Sequence, residues 1–558
     1  MRIVTTPHGH KSIELTEQER TVRLHSFFDP AKEAARAVES FSSNEGRLIL
    51  VAGLGLAWHI RALHERFPER RIVVIERSPE VITACRVHAP ENIFDAAIIN
   101  SDVDIEQYLA SEDIAAFKGF DLFIHRQSYS IDPQFYDLHV RAFGKAISSR
   151  ISDLLTRCEF EEKWVLNSVA NLPSLFTGVP VKALFNKFKG YTGILVSAGP
   201  SLRKNVALLE KAYNRALIVC VDTAYKVLYR SGIRPHLVMV LDAQKHSQLH
   251  FLGTPHDVPL LADIVSSPLV LRSWRGRPIL STTAKYYEDS NGKTKRETTP
   301  FVDFIEKYSE TPGDIQSGGS VATSLFDFLL NAGCSRIVLV GQDLAYTGRE
   351  IHSSGTYHND RWLKTTDRFL TLEGINQAVI RKRRIRRVAS VNGRTVITDF
   401  VLDLYRHWFE DSAGRVPIEV INASADGAAI ANTKQRDLGE LLDTIPERAL
   451  APQKIIESVI DSYAVQDNKR MTEALRALIR TGKAIPALSD SEAIALAARD
   501  EMAGVFAPFI KKSDLCAMRS NMDADKKEAL IGAEIKRAAQ LLAAGAERSL
   551  QVMEKYEK

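Results

Sequence analysis

The sequence is short of the features that most often announce a function. Five cysteines among 558 residues (Cys85, Cys158, Cys220, Cys334 and Cys516) stand far apart, with no C-x-x-C pair. That spacing excludes a disulfide framework and a zinc ribbon, and leaves the thiols as small apolar residues for a core. No apolar run approaches the roughly 18 residues that a membrane-spanning helix needs. The opening MRIVTTPHGHKSIELTEQER lacks the apolar stretch of a signal peptide. An excess of one charge is missing too: 73 basic and 69 acidic residues leave a formal net charge of +4, too little for the whole chain to bind a polyanion. H-E-x-x-H, the Walker loop and G-x-G-x-x-G are all absent. The expectation is a cytoplasmic protein with no nucleic-acid partner and no membrane span.

What is present is an ordinary globular composition, 45% hydrophobic and 25% charged. The length exceeds what one core serves and predicts about three domains. The first, residues 1–150, is expected to be Rossmann-like. RLILVAGLGLAWHIRALHERFPERRIVVIERSPEVITACR reads as a strand, a turn at Gly53 and Gly55, a helix and a second strand ending on Glu76. An acidic residue some 20 positions past a glycine turn is the ribose-binding arrangement of Rossmann folds. FDAAIIN and FDLFIH continue the α/β pattern, and a helical stretch over 146–176 leads into the second domain, residues 151–437.

That domain alternates strands and helices, with strands near 193–197, 216–221, 237–241 and 336–340 and shorter apolar stretches at 258–264 and 278–281. A doubly wound parallel sheet follows. YYEDSNGKTKRETTP is polar and reads as a surface loop. In residues 438–558 glycine and proline thin out and apolar residues recur at three and four spacing, which predicts a helical domain.

In an open parallel sheet, ligands sit outside the carboxyl ends of the strands. SAGPSL places Ser197, Gly199, Pro200 and Ser201 there, with LRKNVALLEKAYNRA reading as the helix that follows. Gly199 lets a ligand approach the backbone, Pro200 suits the first helical position, and Ser201 either caps the helix or donates to an anion. VDTA adds Asp222 and Thr223, LDAQ adds Asp242 and Gln244, and VGQDLAY adds Gly341, Gln342, Asp343 and Tyr346. The two aspartates Asp222 and Asp242 are either ligand groups or helix caps. A second glycine turn, Ser317, Gly318, Gly319 and Ser320, opens another helix. Two such turns at helix starts suit the phosphate and ribose of one nucleotide. An acidic Mg²⁺ site from Asp222, Asp242 and Asp343 is compatible with these positions but not required by them, and no zinc-type spacing occurs.

LAYTGREIHSSGTYHND carries His352 and His358, read as the only histidines near this rim and either a general base or exposed surface groups. IRKRRIRR packs six basic residues into eight and reads as a solvated face. NGRTVITDFVLDLYRHWFE reads as a turn and a helix, and EVINASADGAAI as a polar turn through Asn422, Ser424 and Gly427.

SAGPSL, VDTAYKVLYRSGIRPHLVMVLDAQ, SGGSVATSLFDFLLNAGCSRIVLVGQDLAYTGREIHSSGT and VINASADGAAI together resemble the motility accessory factor (Maf) family of flagellin glycosyltransferases. The resemblance implies a sialyltransferase-related fold and a CMP-activated nonulosonic acid donor, of the pseudaminic or legionaminic type. It implies flagellin as the partner, modified on Ser or Thr hydroxyls before export, with no required cofactor and Mg²⁺ allowed. By the same resemblance the Gly-Pro-Ser turn approaches CMP, with Ser317–Ser320 across the cleft and Gln342 and Asn422 on the donor side. His352, with His358 as reserve, is then the base, and Asp343 joins it as a catalytic candidate. The central domain also resembles the MptE-like pterin diphosphokinases, which implies ATP and Mg²⁺. A flagellin chaperone with a vestigial nucleotide site is the non-catalytic alternative, and an S-adenosylmethionine methyltransferase is a further reading of the first domain.

Overall fold

The computed structural model describes residues 1–17, 20–43, 48–89, 96–111, 119–288, 293–464, 467–499, 502–520 and 522–556. The chain divides into two compact units, Met1–Glu159 with Glu288–Lys293, and Phe160–Tyr287 with Thr294–Lys558.

In the first unit, four parallel strands lie in the order Ala97–Ile99, Arg71–Ile75, Leu48–Ala52, Phe120–Ile124. Leu48–Ala52 is apolar throughout because both of its faces are covered. Ile49 and Val51 join one core with Ile60 and Leu63, whereas Leu48, Leu50 and Ala52 join another with Tyr136 and Phe143. This is the expected Rossmann-like arrangement. An antiparallel sheet of Arg2–Thr5, Lys11–Glu17 and Arg20–Arg23 precedes it, in a region where the sequence gives no strand expectation.

The second unit is built on a long sheet. Its path runs Thr294–Thr298, Ile279–Glu288, Leu260–Asp263, Leu237–Val240, Ala216–Val221, Thr192–Val196, Arg336–Val340, Glu419–Asn422, Lys434–Gln435. From Ile279–Glu288 to Lys434–Gln435 every neighbouring pair is parallel. The chain starts at Thr192–Val196, adds strands on one side, then returns to lay Arg336–Val340 on the other. The strand order therefore reverses between those two strands, and a crevice at such a reversal is where doubly wound sheets bind ligands.

Several local expectations change. The polar stretch 286–300 is not a loop throughout: Tyr286, Tyr287 and Glu288 finish one strand and Thr294–Thr298 forms another, while residues 289–292 lie outside the described residues. The basic run straddles a helix end and the strand Ile385–Ala389, which pairs antiparallel with Thr395–Asp399, and Arg386 pairs with Asp403 at 2.8 Å. NGRTVITD thus ends in a strand, and Asp399 caps the helix Phe400–Arg415. EVIN is a buried strand rather than part of a turn.

The tail is helical as expected, in Leu438–Asp443, Pro452–Ser462, Lys469–Ala484, Asp490–Ala497, Ala503–Arg519 and Ala524–Tyr556. Its apolar stripes, through Leu441, Ile456, Leu475, Phe506 and Leu542, join the same core as Ile194, Val219 and Leu339 of the sheet. Residues 160–287, 294–437 and 438–558 accordingly fall within one unit. The position expected to separate the first two domains, residue 150, falls inside one continuous helix, Pro133–Thr177.

Candidate active site

The two turns that border the reversal are SAGPS, after Thr192–Val196, and GQD, after Arg336–Val340, and they are held side by side by the sheet itself. Val196 is in register with Val340, Ser197 N–H donates to the Val340 carbonyl (2.9 Å), and Gly199 N–H donates to the Gly341 carbonyl (2.8 Å). Gly199 is needed for that approach: a Cβ on it would lie 2.5 Å from both the Gly341 carbonyl and the Asp343 carboxylate.

What the Gly-Pro-Ser turn grips is Asp343. Ser201 N–H donates to Asp343 Oδ2 (2.9 Å) and the Ser201 hydroxyl donates to Asp343 Oδ1. The sequence expectation that Ser201 offers its donors to a ligand anion is therefore replaced by an internal one, because the chain's own carboxylate reaches them first. The expected long helix is also corrected. Only Leu202–Asn205 is α-helical before a 3₁₀ stretch, Val206–Ala212, and Pro200 precedes the cap residue Ser201 instead of opening the helix. Burial pushes the Asp343 carboxyl up to about 6, against the pull of the two Ser201 bonds.

Ser197 donates to the Gln342 side chain, Gln342 N–H donates to Ser424 Oγ (3.0 Å), and Ser424 N–H donates to Asn422 Oδ1 (3.0 Å). The rim is thus tied across three neighbouring strands, and Asn422 Nδ2 is left buried with no partner. Gly427, at φ +112°, lies so close to Asp343 that a Cβ would come within 2.6 Å of its carbonyl.

The loop beyond Asp343 returns over the rim. Ser353 N–H donates to the Ala198 carbonyl (2.9 Å), and Asp360 pairs with Lys226 (2.8 Å) and Arg230 (2.8 Å) from the helix Asp222–Arg230. This brings His352 and His358 together, rings 5.1 Å apart and nearly parallel. A third histidine, His250, lies 5.2 Å from His358, and its Nδ1 is buried without a hydrogen bond. The expectation that His352 and His358 are the only histidines near the rim is thus corrected. His250 sits in the 3₁₀ segment Lys245–Phe251, eight residues past Asp242 in sequence, and the signal was its place after a rim strand. Burial and the neighbouring His358 and His250 hold His352 down at about 3, while burial, then His250 and Arg361, hold His358 at about 4. Both are neutral near pH 7 and carry a free lone pair.

Asp222 is buried and accepts from Thr223 N–H (2.7 Å) and the Thr223 hydroxyl (3.0 Å). Burial raises its pKa; His250 opposes that rise and Asp242 adds to it, so these groups share one neighbourhood. Asp242 accepts from Gln244 N–H (2.8 Å), closing its own turn. The three rim aspartates do not converge on a cation. Asp343 is separated from Asp222 by the intervening strand Thr192–Val196, two sheet spacings or roughly 10 Å, and Asp242 is a further strand away.

Ser317, Gly318, Gly319 and Ser320 open the helix Val321–Asn331, whose Leu329 packs at Gly193 at the start of a sheet strand, so its other end points to the carboxyl rim. The turn is closed on itself: Gly318 N–H donates to Thr323 Oγ1 (2.9 Å), Gly319 N–H to Ser317 Oγ (3.2 Å), and Ser320 and Thr323 form a capping box. Trp408 and Tyr405 flank the two glycines. Tyr346 is bound to Asp399.

In the first unit the glycine turn is likewise occupied from within. Leu54 N–H donates to Glu76 Oε2 (2.8 Å), Leu56 N–H to His25 Nε2 (2.7 Å), and His59 Nε2–H to the Gly53 carbonyl (2.9 Å). Glu76, expected to meet a ribose, is 3% exposed and also accepts from Ser78 N–H (2.9 Å) and the Tyr136 hydroxyl (3.3 Å). It serves the turn, which removes the basis for reading a dinucleotide or methyl-donor site there.

Comparison with known proteins agrees with this architecture. Residues 166–349 match the family model described as 6-hydroxymethylpterin diphosphokinase MptE-like; the match includes the strands from 192 to 340 and both rim turns but ends before His352. Two uncharacterized proteins of Treponema pallidum (strain Nichols) are 25% and 24% identical over 247 and 206 residues, which is 39% and 34% of this chain. The chain spans 61% of the length of the first and 67% of the second. The structure of the Maf glycosyltransferase from Magnetospirillum magneticum AMB-1 superposes with a TM-score of 0.53 at 14% identity, covering 100% of this chain and 93% of that one. No described helix is long and apolar enough to cross a membrane. The chain therefore has the fold of the Maf glycosyltransferase along its whole length, and its MptE-like stretch carries the crevice at the strand reversal.

Proposed function

We propose that this protein is a glycosyltransferase that moves a nonulosonic acid, of the pseudaminic or legionaminic type, from its CMP donor to Ser or Thr hydroxyls of flagellin. The observation that supports the reading is the cluster that His250 forms with His352 and His358 of the loop that Ser353 N–H ties to the Ala198 carbonyl (2.9 Å), next to the turn at the strand reversal. In the transfer, the acceptor oxygen bonds to the anomeric carbon as the carbon–phosphate oxygen bond breaks. CMP leaves with the electron pair, and the hydroxyl proton passes to the His352 imidazole. The depressed pKa suits a site awaiting an anion: a donor phosphate and carboxylate beside His352 favour its protonated form, so basicity rises as the donor binds. His250 and His358 line the same space, and the Ser197–Gln342–Ser424 network fixes the rim beneath it.

The match to the MptE-like family model favours a second reading, ATP-dependent pyrophosphoryl transfer to a pterin. That chemistry calls for Mg²⁺, and the separation of Asp222, Asp242 and Asp343 weakens it. Intact-mass measurement of flagellin co-expressed with a CMP-nonulosonate pathway tests the first reading. Whole sugar units should appear only with the protein and vanish with His352→Ala. An unchanged mass with the donor present, together with AMP release from ATP and pterin, would replace it with the second.

A further inference from the structure

Three histidines in the first unit take no part in the chemistry above. His25 follows the strand Arg20–Arg23, His59 lies in the helix Trp58–Arg66, and His125 follows the strand Phe120–Ile124. They are 3%, 2% and 7% exposed. Their rings gather under the glycine turn, His59 and His125 with centroids 4.3 Å apart and His25 and His125 4.9 Å apart. One ring nitrogen from each lies within 4.8 Å of the others, and this is the group of three potential metal-ligating side chains among the described residues.

A hydrogen-bonded brace for the turn accounts for only part of this. The Gly53 carbonyl can only accept, so His59 Nε2 carries the proton and Nδ1 carries a lone pair. That Nδ1 is buried and has no partner. Buried polar atoms are almost always satisfied, and an exception points to an ion or a water that belongs there. A ring that donates one N–H to a backbone carbonyl while its other nitrogen stays free is the posture of a metal-bound histidine. The other two rings have their lone pairs engaged, His25 Nε2 accepting from Leu56 N–H (2.7 Å) and His125 Nδ1 meeting the Ser128 hydroxyl (2.7 Å), so each would exchange that donor for an ion.

We propose that His25, His59 and His125 form a binding site for a divalent transition-metal ion of the zinc class, which clips three sequence-distant segments together beneath the Gly53–Leu56 turn. An all-imidazole set selects zinc, copper or nickel over magnesium or calcium. Zinc–nitrogen distances of about 2.0–2.1 Å need ligand atoms roughly 3.4 Å apart. The rings therefore turn inward on binding, with His59 Nδ1 as the ready ligand. The Ser128 hydroxyl, next to His125, is placed to give the fourth oxygen. Because the cluster is enclosed, the ion loads as the unit folds.

The full-length protein, without a polyhistidine tag and expressed with added zinc, is gel-filtered in chelator and analysed for metal. The expected content is about one zinc per chain, and unfolding midpoints should rise with zinc. His59→Gln is the decisive variant, since its side-chain amide still donates to the Gly53 carbonyl but offers no imidazole lone pair. Zinc content should fall roughly tenfold or more in His59→Gln and persist in His250→Ala. A wild-type protein free of zinc, or zinc retained in His59→Gln, overturns the assignment and leaves the cluster as a hydrogen-bonded brace.

Discussion

Replacing Asp343 with asparagine should make the protein more stable at neutral pH. The carboxyl is 2% exposed, and burial lifts it from 3.8 to about 6. A raised carboxyl contributes its full stability below the unfolded value, and that contribution is lost as the pH climbs through the folded value. The window is therefore pH 3.8 to about 6, which corresponds to about 3 kcal/mol across it. The substituted amide keeps an oxygen for Ser201 N–H and offers an N–H to the Ser201 hydroxyl, so both contacts survive without a buried charge. The stability of Asp343→Asn relative to wild type should then grow by about 2 kcal/mol between pH 4.5 and pH 8, the rest of the difference having built up below pH 4.5. Urea denaturation followed by tryptophan fluorescence reads this out, since Trp164, Trp274, Trp362 and Trp408 all lie in the second unit. A difference that is constant across that pH range would refute the reasoning, because burial of the charge would then not be what Asp343 costs. A loss of stability at pH 8 alone would show that the charge-assisted Ser201 bonds outweigh desolvation.

With His352 held at about 3 and His358 at about 4, the acid limb of kcat/KM should fall below the ordinary histidine value of 6.5. His358→Ala removes one of the causes depressing His352 and should move the limb upward; an unmoved limb would take His352 out of the role of base. His352→Ala should lower kcat by about 10²-fold or more while CMP affinity by calorimetry stays within about threefold. Gly199→Ala places a methyl 2.5 Å from Asp343 Oδ1 and from the Gly341 carbonyl. It should cost about 1–3 kcal/mol in denaturant titration and weaken donor binding through the displaced rim.

The strands that make the crevice were legible in the sequence because burial on both faces turns Ile194–Val196, Leu217–Val221 and Ile337–Val340 into unbroken apolar runs. The turns that follow them were legible for a related reason: glycine, proline and serine after such a run mark a rim. The antiparallel sheet of Arg2–Thr5, Lys11–Glu17 and Arg20–Arg23 was not, since its short strands mix charged and apolar residues. Nor was the strand Glu419–Asn422, whose four residues run straight into a polar turn.

By itself, then, the sequence determined the order of the buried parallel strands from Thr192–Val196 to Arg336–Val340, the rim positions of Ser197–Ser201 and Gly341–Asp343, and the helical tail. These follow from periods of 2.0 and 3.6 residues and from turn chemistry, which act over a few neighbours. Only the tertiary structure decided which partner each rim group takes. Ser201 meets a carboxylate 142 residues away and not a ligand anion, and Leu54 meets Glu76 across 22. His250 joins His358, and His25, His59 and His125 converge, for the same reason: a side chain's hydrogen-bond partner and electrostatic surroundings are set by which strands the sheet lays next to one another, and local pattern carries no record of that distance.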